Sequence, residues 1–216
     1  MPLRRFHFVW LLLALWLDGT AQLRAQIPTS EAKAPGGGHL ETTYRGGMVT
    51  PPMPKPKFTL TDTSGVPFDF WSETKGYVTL LFFGYTHCPN VCPMHMAFIA
   101  SALRTLPADV GNQVKVVFVT TDPERDNPRL LRTWLNHFNK QFIGLRGDES
   151  AIQAAQLAAN MPVAKAATSY DHSAFILAFT KDNLAHVIYP SGITQSDWIH
   201  DLPQLVREDW PDKHRN

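Results

Sequence analysis

The sequence predicts an α/β sandwich in which helices flank a central mixed β-sheet. Apolar runs of strand length alternate with helical patterns along most of the chain, an order typical of parallel strands joined by helices. The last two apolar runs flank a short turn, which indicates a closing antiparallel pair. The only two cysteines lie where a buried strand passes into a helix. The 216 residues are enough for one such domain of roughly 150 residues with appended segments.

Residues 1–25 have the pattern of a secretory signal peptide or an N-terminal anchor. A basic start precedes an apolar run from Phe6 to Leu17, which is too short to cross about 30 Å of hydrocarbon as a helix. We predict export to the periplasm or another extracytoplasmic space, with cleavage after Ala21 or Ala25. An uncleaved segment would hold the protein at a membrane surface.

Residues 26–56 are rich in glycine and proline. Gly36-Gly37-Gly38 and the prolines between 51 and 56 cannot bury an apolar face, and the proline-rich half favours extended polyproline II structure. We therefore predict a linker here, followed by the folded α/β domain over residues 57–210.

The first half of that domain should contain a hairpin, two strands and a helix. Residues 62–65 (Asp-Thr-Ser-Gly) are a turn sequence between short apolar runs, which predicts an N-terminal β-hairpin over 58–68. Tyr77–Phe83 and Val114–Thr120 are continuous apolar runs, typical of strands buried on both faces. Between them, Pro93–Leu106 has a helical pattern, and its first residue suits a first helical turn.

The second half of the domain alternates helices with short extended runs. We predict, in order, helix Asn127–Phe138, extended segment Phe142–Leu145, helix Glu149–Ala159, strands Ser173–Phe179 and His186–Tyr189, and helix Thr194–Arg207. Pro128 fits the first position of its helix. Lys181-Asp182-Asn183 supplies the turn between the last two strands. Strands that alternate with helices and end in a hairpin are what a thioredoxin-like fold needs.

Cys88 and Cys92 indicate either thiol redox chemistry or a soft metal ion. A helix N-terminus favours the thiolate that both kinds of chemistry require. The three intervening residues permit either a disulfide or a metal seated between the sulfurs. In an exported protein a structural disulfide also competes, but closing so short a loop constrains the unfolded chain little.

A metal site with two sulfurs needs a further ligand, and His172 is the candidate. It precedes a predicted strand whose start approaches the cysteine loop in a thioredoxin-like fold. Three soft or borderline ligands suit Cu(I), whereas structural zinc sites usually have four. From the residues alone, a lone histidine beside an aspartate is more often a structural hydrogen-bonding group than a ligand. His87 would have to fold back to reach a metal, and His95 fits a helix core better.

Asp122-Pro123-Glu124-Arg125-Asp126 is dense in charge but lies between a strand and a helix. Asp126 or Asn127 is a natural N-cap there, so we interpret the segment as structural. Asp122 is expected near the metal site.

These motifs together resemble the Sco (SenC) family of copper-binding, thioredoxin-fold assembly factors for the binuclear copper centre of cytochrome c oxidase subunit II. The resemblance runs from about Pro54 to Arg207 and rests on three ordered motifs. They are Phe-Phe-Gly-Tyr-Thr-His-Cys-Pro-Asn-Val-Cys-Pro, Asp122–Pro128 and Asp171-His172-Ser173. The resemblance implies that Cys88, Cys92 and His172 bind copper, as Cu(I) or Cu(II).

Three departures from the family pattern are visible. Asn90 stands where many members have aspartate, residues 180–183 replace a common Asp-Pro-x-Gly turn, and the loop from Met161 to Tyr170 is compact. The first two leave the ligands intact. The loop matters more, because in the family it helps carry the histidine toward the cysteines.

The function expected from this resemblance is that of a copper metallochaperone rather than an enzyme. Its partners would be cytochrome c oxidase subunit II and a thiol reductant or upstream copper donor. The alternatives are a thiol-disulfide oxidoreductase that uses Cys88 and Cys92 catalytically, and a copper or redox sensor. A peroxidase is less favoured because no separate resolving cysteine exists. With a net charge of +1 and no block of Lys and Arg, nucleic acid is not expected as a partner.

Overall fold

Eight strands form one mixed sheet in the computed structural model, which describes residues 44–163 and 174–210. In chain order they are β1 (Gly47–Pro54), β2 (Thr59–Asp62), β3 (Pro67–Asp69), β4 (Val78–Gly84), β5 (Val114–Thr120), β6 (Ile143–Arg146), β7 (Ile176–Phe179) and β8 (Leu184–Tyr189). Across the sheet the order is β1-β8-β7-β4-β5-β6-β2-β3. The pairs β4–β5 and β5–β6 are parallel and the other pairs antiparallel, which confirms the predicted mixed sheet.

The helices that the structure describes are α1 (Phe70–Glu73), α2 (Val91–Thr105), α3 (Ala108–Gly111), α4 (Pro128–Asn136), α5 (Glu149–Ala158) and α6 (Gln195–Arg207). The sequence patterns predicted four of them, and missed the one-turn helices α1 and α3. Asn127 caps α4 by accepting a hydrogen bond from the Leu130 amide, as its position before Pro128 suggested. Helix α2 begins at Val91, two residues earlier than predicted. Cys92 therefore lies inside its first turn.

Strand β4 lies near the middle of the sheet and shows why the fold is a sandwich. All seven of its residues are buried. Val78, Leu80 and Phe82 join a core that includes residues of α2, α4 and α6, while Leu81 and Phe83 join the core on the other face. The continuous apolar run therefore reflects burial on both faces.

The predicted hairpin is present as β2 and β3, and it forms one edge of the sheet. Leu60 pairs with Phe68 within the hairpin, and Asp62 pairs with Leu145 of β6. The Asp62 carboxylate closes the turn by accepting hydrogen bonds from the Ser64 amide at 2.8 Å and the Val66 amide at 2.9 Å.

The opposite edge corrects the linker prediction. Gly47–Pro54, assigned to the linker from its composition, forms β1 and pairs antiparallel with β8. The register is interrupted between Met48 and Met53, around Pro51 and Pro52. Proline cannot donate to a strand ladder, but an edge strand needs hydrogen bonds on one side only. The linker prediction is therefore wrong for this segment.

The predicted signal peptide and the first part of the predicted linker lie outside the described residues. Among the helices of residues 44–163 and 174–210, none has the length and apolar character needed to cross a membrane.

Candidate metal centre

The cysteine loop and the charged motif meet at one edge of the sheet. Strands β4 and β5 are parallel and end at Gly84 and Thr120, so the segments that follow them emerge side by side. The Thr121 amide donates to the Gly84 carbonyl at 2.7 Å and joins the two segments. Cys88 and Cys92 follow from the first strand, and Asp122–Asp126 follows from the second.

Cys88 and Cys92 converge as two buried, reduced thiols. They are 9% and 5% exposed. The backbone amide of Cys92, in the first turn of α2, donates to the Cys88 sulfur with an N···S distance of 3.4 Å. The helix start therefore directs its free N–H donors at one of the two sulfurs.

Gly84 makes room for this pair. A Cβ atom at Gly84 would lie 2.9 Å from the Cys92 sulfur and 3.0 Å from the Phe118 ring. Both distances are shorter than ordinary van der Waals contact, so a glycine is needed for β4 to pass under the cysteine helix.

The two thiols differ in acidity. Hydrogen bonds from the Cys92 side chain and from the amides of Cys92, Asn90 and Val91 lower the pKa of Cys88 to about 5, against an opposing effect of burial. The same side-chain bond, together with burial, raises the pKa of Cys92 far above its ordinary value. The predicted thiolate at the helix start is therefore Cys88, while Cys92 stays a thiol in the absence of metal.

Asp126 stabilises the start of the cysteine loop through hydrogen bonds. Its carboxylate is fully buried and accepts hydrogen bonds from the Thr86 amide at 2.9 Å, from the Thr86 hydroxyl, and from the Thr120 hydroxyl at 2.6 Å. The structural interpretation of this motif agrees with these contacts, although Asn127 rather than Asp126 caps the helix. Asp122 is ion-paired with Arg125.

Tyr85 is a site residue that the sequence analysis missed. Its hydroxyl donates to the Cys88 sulfur, and burial, followed by the negative charge of Cys88, raises the pKa of Tyr85. Tyr85 lies only three residues before Cys88 in the sequence, and this proximity could have indicated a role for its hydroxyl at the site. Thr86, bound to Asp126, was likewise missed.

The other histidines near the cysteines have different environments. His87 is exposed, and its Nδ1 atom lies 3.5 Å from Asp126. His95 is 2% exposed and packs edge-on against Phe82, with 5.3 Å between ring centroids. Burial, the larger effect, lowers the pKa of His95, and a hydrogen bond to the Ala174 backbone partly offsets it. The core role expected for His95 agrees with this burial.

The structure brings together two of the three predicted ligands. His172 and its neighbour Asp171 lie outside the described residues, as does most of the Met161–Tyr170 loop. Within residues 44–163 and 174–210, no three side chains of His, Cys, Asp or Glu gather into a group that could hold a metal ion. Two sulfurs, one of them ionised at neutral pH, match the soft donors that Cu(I) prefers, so the described cysteines fit copper.

Comparison with known proteins identifies the family. The model of the SCO1/SenC family matches residues 50–207. The chain is 38% identical over 100 residues to an SCO2-like protein of Rickettsia felis, an alignment that covers 44% of this chain and 46% of the relative. It spans about half the length of the curated relatives it matches.

Two solved structures resemble the whole domain. Apo Sco1 of Thermus thermophilus is 28% identical with a TM-score of 0.64, over 75% of this chain and 96% of that one. ScoI of Bradyrhizobium japonicum with copper bound is 31% identical with a TM-score of 0.59, over 71% of this chain and 99% of that one. The thioredoxin-like fold predicted from the sequence is thereby confirmed.

Proposed function

The chain belongs to the SCO1/SenC family, and from that premise we propose that it is a copper metallochaperone. It binds one copper ion through Cys88, Cys92 and His172 and passes it to the binuclear copper centre of cytochrome c oxidase subunit II. The observation that carries the proposal is the buried pair of reduced cysteines, one of them ionised by hydrogen bonds at neutral pH. A related structure, ScoI of Bradyrhizobium japonicum, has copper bound.

The position of His172 in the sequence supports it as the third ligand. Ala174 hydrogen-bonds His95, three residues after Cys92 in α2. His172 precedes Ala174 by two residues. In the proposal, the imidazole of His172, with Asp171 as an orienting carboxylate, completes a Cys₂His donor set.

Each residue then has a distinct part in handling the copper substrate. Cys88 offers a thiolate at neutral pH, held by the amides of α2 and by Tyr85. Cys92 gives up its proton when copper binds, so uptake releases protons and weakens in acid. Transfer proceeds by ligand exchange, in which a thiolate of the partner replaces one protein ligand at a time.

The cellular setting follows from the same proposal. Export through residues 1–25 would bring the protein to the periplasm or another extracytoplasmic space, with an uncleaved segment holding it at the membrane surface. There an upstream donor would supply copper, and a thiol reductant would keep the two cysteines reduced. Reduced cysteines are required, because a disulfide cannot bind the ion.

The unequal acidity of the cysteines favours a second candidate function, that of a thiol-disulfide oxidoreductase. The Cys88 thiolate would attack a disulfide of the oxidase subunit and form a mixed disulfide, releasing one partner thiolate. Cys92 would then lose its proton and attack the Cys88 sulfur, which releases the second partner thiolate and leaves a Cys88–Cys92 disulfide. A thiol reductant would restore the dithiol.

The test is an anaerobic Cu(I) titration of the reduced chain from residue 26 onward, beside His172→Ala, with both samples examined by X-ray absorption. We expect one copper per chain with sulfur and nitrogen scattering, and loss of the nitrogen contribution in the variant. Failure of the reduced protein to bind stoichiometric copper, or an unchanged spectrum in His172→Ala, would overturn the metallochaperone proposal. Rapid disulfide exchange without tight copper would favour the oxidoreductase.

A further inference from the structure

The three parallel strands end in a row at the edge of the sheet where the cysteines lie. Gly84 ends β4 and pairs with Thr120 at the end of β5. Val119 pairs with Leu145 of β6, so Arg146, the last residue of β6, lies beside Thr120. Paired residues of neighbouring strands point to the same face, so Gly84, Thr120 and Arg146 share one face of the sheet.

Two members of this row already have a place in the site. Gly84 leaves room for the Cys92 sulfur. The Thr120 hydroxyl donates to the Asp126 carboxylate at 2.6 Å. The third member, Arg146, belongs to none of the three sequence motifs, and its contact with the site comes from the tertiary structure alone.

Arg146 reaches the loop that follows β5. Its Nη2 atom donates to the Pro123 carbonyl at 3.1 Å. Pro123 lies inside the turn in which the Asp126 amide donates to the Asp122 carbonyl at 2.9 Å. The guanidinium of β6 therefore holds the turn that contains Asp126.

Packing alone does not account for an arginine at this position. Its Nε atom is buried and has no hydrogen-bond partner among residues 44–163 and 174–210. An apolar side chain of similar length would leave no buried donor unpaired there. What an arginine adds over such a side chain is its hydrogen bond to the Pro123 carbonyl.

The turn that Arg146 holds is joined to the cysteine loop through Asp126. The Asp126 carboxylate accepts hydrogen bonds from the Thr86 amide at 2.9 Å and from the Thr86 hydroxyl. Thr86 in turn lies inside the tight turn that the Cys88 amide closes by donating to the Tyr85 carbonyl at 3.3 Å. A displacement of the 122–126 turn would therefore also displace the backbone that leads into Cys88.

We propose that Arg146 is a positioning residue for the copper site. By holding the Pro123 carbonyl it fixes Asp126, and Asp126 fixes the turn that leads into Cys88. The inference rests on the proposed function, in which Cys88 is a copper ligand. Without the guanidinium, the turn before Cys88 opens more often and copper leaves the site sooner.

The test compares Arg146→Met with Arg132→Met in the reduced full-length protein. Arg132 of α4 is the matched control, because its Nη1 atom donates to the Phe142 carbonyl at 2.8 Å. Its Nε and Nη2 atoms are buried without partners in the described part of the chain. Phe142 lies just before β6, at the end of that strand away from the cysteines. The two substitutions thus remove the same kind of hydrogen bond at opposite ends of one strand.

Two rates are measured for each variant. They are amide hydrogen exchange at Thr86 in the absence of copper and, after loading with Cu(I), copper release to a chelator. In Arg146→Met we expect faster exchange at Thr86, because local opening exposes that amide. Copper release should be about 10-fold faster, at the lower end of the range by which groups that orient a ligand change metal affinity.

The control variants separate positioning from a general loss of stability. Arg132→Met should leave both rates close to wild type, even where urea denaturation shows the same loss of stability as in Arg146→Met. Arg146→Lys keeps a donor for the Pro123 carbonyl and should restore most of the protection at Thr86. If Arg146→Met does not fold, Arg146→Gln, whose side chain is two bonds shorter, carries the same expectation.

The outcomes distinguish this inference from the proposed function. Equal exchange at Thr86 and equal copper release in Arg146→Met and Arg132→Met would overturn the positioning role. Faster exchange with unchanged copper release would overturn it as well, because the turn would then not determine how firmly copper is held. If the wild-type protein takes up no copper, the proposed function fails, while exchange at Thr86 still decides whether Arg146 holds the turn before Cys88.

Discussion

Cys88 and Cys92 lie four residues apart in the chain but have opposite acid-base character. The start of α2 supplies N–H donors to Cys88, whereas Cys92 is turned toward Gly84 and Phe118 in the core. The hydrogen bond to Cys88 and burial, with smaller effects of the Cys88 and Asp126 charges, raise the pKa of Cys92. Before copper binds, the reduced site therefore contains one thiolate, Cys88, and one thiol, Cys92.

This asymmetry predicts the pH dependence of alkylation in the reduced protein. Because the pKa of Cys88 is lowered to about 5, its rate of reaction with iodoacetamide should rise with pH through about 5 and be nearly level at pH 7. Cys92 should remain unreactive at neutral pH. Mass spectrometry of digests at a series of pH values measures both. In Cys92→Ala the largest cause of the shift is gone, and the Cys88 midpoint should move upward.

The same shift has a consequence for stability. A thiol whose pKa is lowered by folding stabilises the folded state at pH values above its unfolded pKa, and this contribution declines as the pH falls toward the folded pKa of about 5. A Cys88 midpoint near 9 in the alkylation profile would contradict the assignment.

Asp126 should matter for stability more than its place in a charged surface motif suggests. Asp126→Ala leaves the Thr86 amide and the Thr86 and Thr120 hydroxyls without their acceptor. We expect a loss of about 2–4 kcal/mol in the free energy of unfolding, measured by urea denaturation. Asp122→Asn is the control, since its ion pair is with the exposed Arg125, and it should lose less. Equal losses would show that the buried contacts are not the cause.

At the scale of elements, the site depends on how closely β4 passes beneath α2. Gly84→Ala places a methyl group 2.9 Å from the Cys92 sulfur, so the strand or the helix must shift. We expect a loss of about 1–3 kcal/mol in stability and weaker copper binding, measured by denaturation and by competition with a Cu(I) chelator. Gly47→Ala in β1 is the matched control, because its methyl would meet its nearest atom at an ordinary 3.5 Å. A stable Gly84→Ala with normal copper binding would refute the argument.

Strand β1 shows where local sequence patterns mislead. Its three prolines and its single glycine are typical of a linker, and no periodicity marks a buried face. The segment is a strand because β8 offers an unpaired edge, with which Met48 and Met53 align on either side of the proline interruption. An edge of that kind exists only once the sheet has formed.

At the scale of the whole domain, a second buried carboxylate, Asp201 of α6, joins segments that are distant in the sequence. It is fully buried and accepts hydrogen bonds from the Arg45 amide at 2.9 Å, the Gly46 amide at 3.1 Å and the Tyr189 hydroxyl at 2.9 Å. These contacts join the residues that lead into β1 to the last helix and to β8. The start and the end of the described domain are thereby attached to one another.

Asp201→Ala should accordingly destabilise the domain without altering its metal chemistry. Three donors lose their acceptor, two of them in buried hydrogen bonds, and we expect a loss of about 3 kcal/mol in the free energy of unfolding, with one copper still bound per folded chain. Asp109→Ala, which removes an exposed partner of Arg207 at 3.8 Å, should change stability by less than about 1 kcal/mol. A similar effect of the two substitutions would contradict a closing role for Asp201.

The sequence by itself determined the order of the strands from β2 to β8 and of the helices α2, α4, α5 and α6, the mixed sheet, the place of Cys88 and Cys92 at a strand-to-helix junction, and the family. These features depend on periodicity, turn residues and caps, which are local along the chain. His172 as a ligand remains a prediction from the motif. Only the tertiary structure decided that residues 47–54 are a strand, that Cys88 rather than Cys92 is the thiolate, and that His95 reaches the Ala174 backbone. Each of these depends on contacts between distant segments and on burial, which no local pattern encodes.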